Sequence, residues 1–285
     1  MKAVIDVGSN SVRLLLQSNK SEKFIIITKL AEGLNATGKL SDVAIKRTVS
    51  AVAFFKEKAI ENNVDELYIF ATAAVRSASN GYEFVNAVKS ECNLDVDVIS
   101  GEKEAEVGLL GVLKTGDGGI IDIGGASSEI TTRINGKTVY SHSLNLGGVR
   151  ILDACEQDLV KIQTLCKNAV KEYGKVPVST YYGIGGTATS IASVILQLKK
   201  YDRSAVHGYV LTIDNVLKAI KLFNSNTVEE RKKIVGLQPE RADVILGATV
   251  LLYEIMLHVG IDKITVSEDD NLDGYLLSKG GFNEQ

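Results

Sequence analysis

Two stretches of the sequence end an apolar run on an aspartate and follow it with glycine and small polar residues. The first is AVIDVGSNS, Ala3 to Ser11, and the second is GGIIDIGGASSE, Gly118 to Glu129. Each reads as a β-hairpin with a glycine-containing turn, where the missing Cβ lets consecutive backbone N–H groups approach an anion. Gly8, Ser9, Asn10 and Ser11 make the first turn, and Gly124, Gly125, Ala126 and Ser127 the second. Asp6 and Asp122, at the strand ends, stand where a divalent cation beside a phosphate would be held, directly or through water. One Asp-x-Gly turn is equally well a hairpin with a capping carboxylate. Two at matching places in the two halves point to a pair of phosphate cradles. A third glycine turn, GIGGTATS from Gly183 to Ser190, runs from a strand into a helix and sets Gly185, Gly186 and Thr187 at a helix N-terminus, which favours anions.

The elements that must carry these turns follow from periodicity. KAVIDVG, SVRLLLQS and KFIIITKL read as three strands, and Ser41 caps an amphipathic helix with Ile45, Val49, Val52, Phe55 and Ala59 on one face. ELYIFAT is a strand, GYEFVNAVKSEC a helix, DVDVIS a strand and EKEAEVGLLGVL a short helix. After KTGDGG the pattern restarts: GIIDIG, SSEITTRIN and KTVYSHSLNLG are strands, with Asn135 opening a hairpin turn. Helices are expected over Arg150 to Ala154 and Glu156 to Tyr173, then a strand at TYYGIGG, a helix at TATSIASVILQLK, further helices, the strand KITVSE and a last helical segment, LDGYLLSK. Three strands and a helix, then strand, helix, strand, occur in both halves, which is an internal duplication of architecture. The expected fold is α/β, with two duplicated domains, 1–115 and 116–285, facing each other across a cleft, the last helix being free to pack back on the first domain.

A length of 285 residues suits two domains, and 45% hydrophobic with 24% charged residues is the balance of an ordinary globular protein. A net charge of −3 offers no general attraction to nucleic-acid polymers or anionic membranes, so a polyanionic ligand needs a locally basic groove. Lys199, Lys200 and Arg203, or Lys167, Lys171 and Lys175, are the clusters available for one, although a solvated face explains either as well. Cys92, Cys155 and Cys166 lack metal spacing and read as reduced, buried thiols, and no signal-like or membrane-length apolar run is visible, so the expected location is cytoplasmic. His142, His207 and His258 have no mutual ligand spacing and receive no role.

Taken in order, IDVGSNSVRLLL, ATAAVRSASN, ISGEKEAEVGLLGV, IIDIGGASSEI, GIGGTATSIA and ERADVILGA resemble the exopolyphosphatase/guanosine-pentaphosphate phosphohydrolase (Ppx/GppA) family, within the actin/hexokinase/Hsp70-like superfamily. The likeness runs over essentially the whole chain. It implies metal-assisted hydrolysis that removes a terminal phosphate from polyphosphate or from pppGpp, with Mg²⁺ (or Mn²⁺) held by Asp122, Glu129 and Asp6. It assigns Glu104 to activation of the attacking water and Glu129 to holding that water or the metal; charge pattern alone would leave Glu104 on a solvated face among Glu102, Lys103 and Glu106. Arg76, after the strand ELYIFAT, falls on a phosphate-contact position, and Arg150 in LGGVR on a weaker one. Leu272-Asp273-Gly274 stands where the family more often has an Arg-Glu pair before the glycine, and the further helical region of longer members is not among these 285 residues. The partners expected are polyphosphate or a phosphorylated guanosine nucleotide, with a homodimer allowed. A kinase or ATPase of the superfamily, a non-catalytic sensor of the same ligands and, less well supported, a filament-forming protein are the alternatives; the two glutamates favour water as the phosphate acceptor.

Overall fold

In the computed structural model, which describes residues 1–17 and 21–280, the chain divides into two compact units. One comprises Met1–Gly111 and the C-terminal segment from Asn271; the other is Val112–Asp270. Against the expected 1–115 and 116–285, the boundary moves into a helix; the last helix, which the sequence left free to pack back, belongs to the first unit.

The first unit holds β1 (Lys2–Val7), β2 (Ser11–Leu16), β3 (Glu22–Ile27), β4 (Glu66–Ala71) and β5 (Asp97–Val98) in the order β3-β2-β1-β4-β5. The three hairpin strands pair antiparallel, and β1-β4-β5 pair parallel. The second unit holds β6 (Gly118–Ile123), β7 (Ser128–Ile134), β8 (Lys137–Leu144), β9 (Tyr181–Ile184), β10 (Val210–Thr212) and β11 (Lys263–Val266), in the order β10-β11-β9-β6-β7-β8. Reading β8-β7-β6-β9-β11 gives the same sequence of antiparallel and parallel pairings as the first sheet, with β10 added antiparallel at the edge. The duplication expected from the strand pattern is therefore one of topology, and β1–β2 and β6–β7 are equivalent hairpins.

The helices used below are α1 (Asp42–Glu61), α2 (Ala73–Ser77), α3 (Gly81–Cys92), α4 (Gly101–Leu113), α5 (Gly148–Cys155), α6 (Leu159–Ala169), α7 (Gly185–Ile195), α8 (Ile245–Val259) and α9 (Asn271–Ser278). Ser41 caps α1 as expected, its side chain accepting the Ala44 amide at 3.2 Å. Asn135 and Gly136 both take positive φ, at 53° and 71°, and the Asp117 carboxylate accepts both of their amides. Two expectations change. DVDVIS forms only the two-residue β5, and the helix expected from Glu156 begins at Leu159. Glu156 itself turns out of α5 at φ 53°, and Asp158 caps α6 by accepting the amides of Val160 and Lys161. Among the described residues no helix is long and apolar enough to cross a membrane. The three cysteines are buried, and burial pushes the Cys166 thiol up to about 12.

The last helix is locked into the first unit. The Tyr275 ring stacks on Phe70 at 4.5 Å between centroids, and its hydroxyl donates to Asp97 Oδ2. Asp273 is buried and ion-paired with Lys23 of β3 at 2.6 Å, so this carboxylate serves as a structural anchor. Gly274 lies so close to α4 that a Cβ would stand 1.6 Å from the Val107 carbonyl oxygen. Gly274→Ala should therefore lower unfolding free energy by about 3 kcal/mol, the upper part of the overpacking range. Urea denaturation checks it; unchanged stability would mean that α9 does not pack this tightly.

Candidate active site

In the first unit the β1–β2 turn is closed by the Gly8 amide donating to the Ser11 carbonyl at 2.9 Å. Its outward carbonyls are tied down from the segment after β3: Asn10 O accepts the amides of Thr28 and Lys29, and Ser9 O that of Ala31. The turn amides of Ser9 and Asn10 donate to no backbone carbonyl among the described residues. The Asn10 side chain sharpens the point. It is 8% exposed, yet neither Nδ2 nor Oδ1 has a hydrogen-bond partner. A buried amide left unpaired costs about 1–3 kcal/mol per group, so this side chain is available to hydrogen-bond a ligand or water at the turn. Ser11 opens β2 and is half-buried.

Asp6 sits directly across the ladder from Arg13, whose Nε and Nη2 both donate to Asp6 Oδ2. The charge of Asp6 is thus answered by a guanidinium, which weakens it as a direct metal ligand. Sequence reasoning gave Arg13 no role; the signal was its cross-strand register with Asp6, legible only once the turn length is known.

Glu104 stands in the first turn of α4, where Ser100 accepts the Lys103 amide on its Oγ. A carboxylate is favoured at that end of a helix. The surrounding charges suggested solvent, but Glu104 is only 8% exposed. It is held by Arg76 of α2, whose Nη1 donates to Glu104 Oε2 at 3.0 Å and to the Ile99 carbonyl at 2.9 Å. Burial pushes the Glu104 carboxyl above the ordinary range; the Arg76 charge and hydrogen bond oppose it, nearby Asp6 adds to the rise and Arg13 subtracts from it. Asp6, Arg13, Arg76 and Glu104 form one interacting group of charges within this unit.

In the second unit the β6–β7 turn repeats the closure, the Gly124 amide donating to Ser127 O at 3.0 Å. The carbonyls of Gly124 and Gly125 accept the first amides of α5, from Gly148, Val149 and Arg150. A Cβ at Gly147 would lie 2.5 Å from Gly124 O, so glycine is required where the helix meets the turn. These helix amides are committed to the turn, while those of Gly125, Ala126 and Ser127 donate to no backbone carbonyl among the described residues. Arg150 contributes its backbone to this contact, and burial lowers the pKa of its guanidinium, with Asp153 opposing.

Asp122 and Glu129 are direct cross-strand partners and therefore share one face of the sheet. Glu129 is buried and accepts a hydrogen bond from Ser143 Oγ at 2.6 Å. The neighbouring Ser128 accepts the Tyr173 hydroxyl on both O and Oγ, which fixes the strand end. The third turn packs onto this pair. Gly185 takes φ 73°, and a Cβ there would meet Asp122 Oδ1 at 2.6 Å. The Thr187 hydroxyl donates to the Ile123 carbonyl at 2.8 Å, so it stitches the third turn to the second hairpin and its proton is not available to a ligand. Arg241 is the other residue that sequence reasoning left without a role: a Cβ at Gly186 would stand 2.1 Å from its Nη2, so its guanidinium lies flat against the turn. ERADVILGA carried that arginine in plain view, but nothing in its spacing aims it at residue 186.

Among the described residues no group of three or more His, Cys, Asp or Glu side chains is arranged to hold a metal. Mg²⁺ usually takes one or two carboxylates and completes its shell with water and substrate phosphate, and the Asp122–Glu129 pair fits that donor set. Of the basic clusters, Arg203 is committed to Asp269 at 2.8 Å and to Glu268, so it does not supply groove charge.

The model of the Ppx/GppA phosphatase family matches residues 9–279. The chain belongs to the Ppx/GppA phosphatase family. It is 32% identical to a bifunctional 3-dehydroquinate synthase/phosphatase of Fusobacterium nucleatum over 97% of its own length, and spans 46% of that protein. It is 28% identical to exopolyphosphatase 2 of Mycobacterium tuberculosis, with 98% of each chain covered. The crystal structure of the Aquifex aeolicus family member superposes with a TM-score of 0.79 at 29% identity, covering 98% of this chain and 97% of that one. The duplicated α/β sheets are the actin-like architecture of this family.

If the third turn is an anion site, Gly186→Ala should push the Arg241 guanidinium off it and weaken tripolyphosphate binding by about 10-fold or more, the worth of one charge-assisted hydrogen bond. The melting temperature should barely move, because the obstructed atoms are the far end of a flexible side chain. Titration calorimetry with thermal unfolding reads both; unchanged affinity would remove the third turn from the site.

Proposed function

We propose that the protein is a phosphohydrolase that releases the terminal phosphate of inorganic polyphosphate, with Glu104 activating the attacking water. The observation that carries this reading is the state of Glu104: a carboxyl buried at a helix start, paired with an arginine and raised in pKa, suits a general base. Polyphosphate is preferred because the Mycobacterium tuberculosis relative covered over 98% of both chains is an exopolyphosphatase.

The residues have distinct parts. The amides of Ser9 and Asn10, with Asn10 Nδ2, cradle phosphate oxygens at the first turn, and Gly125, Ala126 and Ser127 do so at the second. Gly185 and Gly186, beside Arg241, form the third cradle, and Arg76 contacts phosphate near Glu104. Arg150 supports the second turn through its backbone. Glu104 takes the proton as water attacks the terminal phosphorus and the shortened polyphosphate leaves, while Glu129 is steadied by Ser143 beside Asp122. Asp122 and Glu129 would hold Mg²⁺ (or Mn²⁺), which neutralises phosphate charge when bound. Little covalent chemistry is asked of the protein, since positioning and charge neutralisation supply most of phosphoryl transfer. We place the activity in the cytoplasm.

Phosphate release with Mg²⁺ from short polyphosphate, long polyphosphate, pppGpp and ATP, assayed in parallel, tests the reading. Polyphosphate should be cleaved best. Preference for pppGpp would replace the substrate while keeping the site, and binding without hydrolysis would make the protein a sensor. Glu104→Gln should retain polyphosphate affinity and lose about 10²–10⁴-fold in kcat; near-normal turnover would remove Glu104 as the base. Because the base works deprotonated and burial raises its pKa, kcat/KM should fall with decreasing pH along a limb above the ordinary glutamate value of about 4.3. A limb at or below that value would contradict the assignment.

A further inference from the structure

The family resemblance puts Arg76 on a phosphate-contact position, but it does not say what the rest of the guanidinium does. Both hydrogens of Nη1 are committed to protein, one to Glu104 Oε2 at 3.0 Å and one to the Ile99 carbonyl at 2.9 Å. Nε and Nη2 donate to no protein oxygen among the described residues. The Arg76 side chain is 29% exposed while that of Glu104 is 9% exposed, so the arginine reaches from the buried carboxylate toward solvent. Nε–H and one Nη2–H project side by side along one edge of the planar group, the edge that takes two oxygens of a phosphate.

We propose that Arg76 is a positioning residue that bonds a substrate phosphate along its Nε–Nη2 edge while Nη1, pinned by Ile99, holds the Glu104 carboxylate. The proposal rests on the reading of Glu104 as the base. One rigid plane then sets the distance and direction between the base and a phosphate of the substrate, so a flexible loop need not fix them separately. The carbonyl of Ile99 is essential to this. It removes the rotation that would let Nη1 follow the carboxylate or the phosphate alone. Lysine carries the same charge but offers donors from a single nitrogen on a flexible stem, so it cannot hold two oxyanions in fixed relation.

Steady-state kinetics of Arg76→Lys on polyphosphate separates this from simple charge attraction. The expected result is a kcat lower by about 10²-fold, the loss attached to a misplacement near 1 Å, with KM little changed. Arg76→Ala should lose both, and added guanidinium ion should restore part of its kcat. An Arg76→Lys enzyme with wild-type kcat, whether or not KM rises, would show that Arg76 only attracts phosphate or does nothing, and would overturn the proposal. Failure of guanidinium to raise kcat in a folded Arg76→Ala protein, checked by circular dichroism, would count against it equally. Glu104→Gln in the same assay keeps the two readings apart. If it turns over normally, the base assignment falls and this proposal with it; if it is dead while Arg76→Lys keeps its kcat, only the positioning role falls.

Discussion

Charged side chains withdrawn from water must be paired, and that constraint organises the first unit around its turn. Asp6 and Glu104 are both buried, and each is answered by an arginine, Arg13 across the β1–β2 ladder and Arg76 from the helix after β4. Breaking a buried pair by removing one partner typically costs 3–5 kcal/mol, so neither arginine is an incidental surface charge. The pairing also explains how a carboxylate at the end of an apolar strand is tolerated: the strand register places its partner directly opposite.

The second unit solves the same problem with different means. Its hairpin has two carboxylates, Asp122 and Glu129, facing each other in register, where the first has an aspartate and an arginine. Like charges so placed repel unless something positive or hydrogen-bonding stands between them. Glu129 takes a hydroxyl from Ser143, and Gly185 gives up its side chain to make room for Asp122. The two equivalent hairpins thus share a backbone closure, Gly to a carbonyl three residues on, while their side chains have diverged, an aspartate facing an arginine in the first and two carboxylates facing each other in the second.

Glycine acts in these turns through space more than through flexibility. At Gly147 and Gly186 the conflict is with a neighbouring carbonyl or guanidinium, and only at Gly185 does a positive φ also demand it. Gly274 shows the same logic outside the site, where close packing of α9 on α4 fixes the helix that Lys23 and Asp273 then tether.

The sequence by itself determined the α/β class, the repeated hairpins, most helix positions and the three glycine turns, because strand alternation, capping residues and glycine placement act over a few neighbouring residues. It also carried the family likeness in its ordered motifs. It misjudged two ends: β5 shrank to two residues, and α6 began at an Asp158 cap instead of at Glu156. What only tertiary structure decided was which charges are buried and with whom. Glu104 lies among exposed charges along the chain yet is enclosed by residues from α2 and the β4–α4 segment; Arg13 and Arg241 reach their turns through strand register and a remote helical loop; Thr187 turns its hydroxyl onto a carbonyl. Burial and ion pairing depend on groups tens or hundreds of residues apart, and no local pattern encodes that distance.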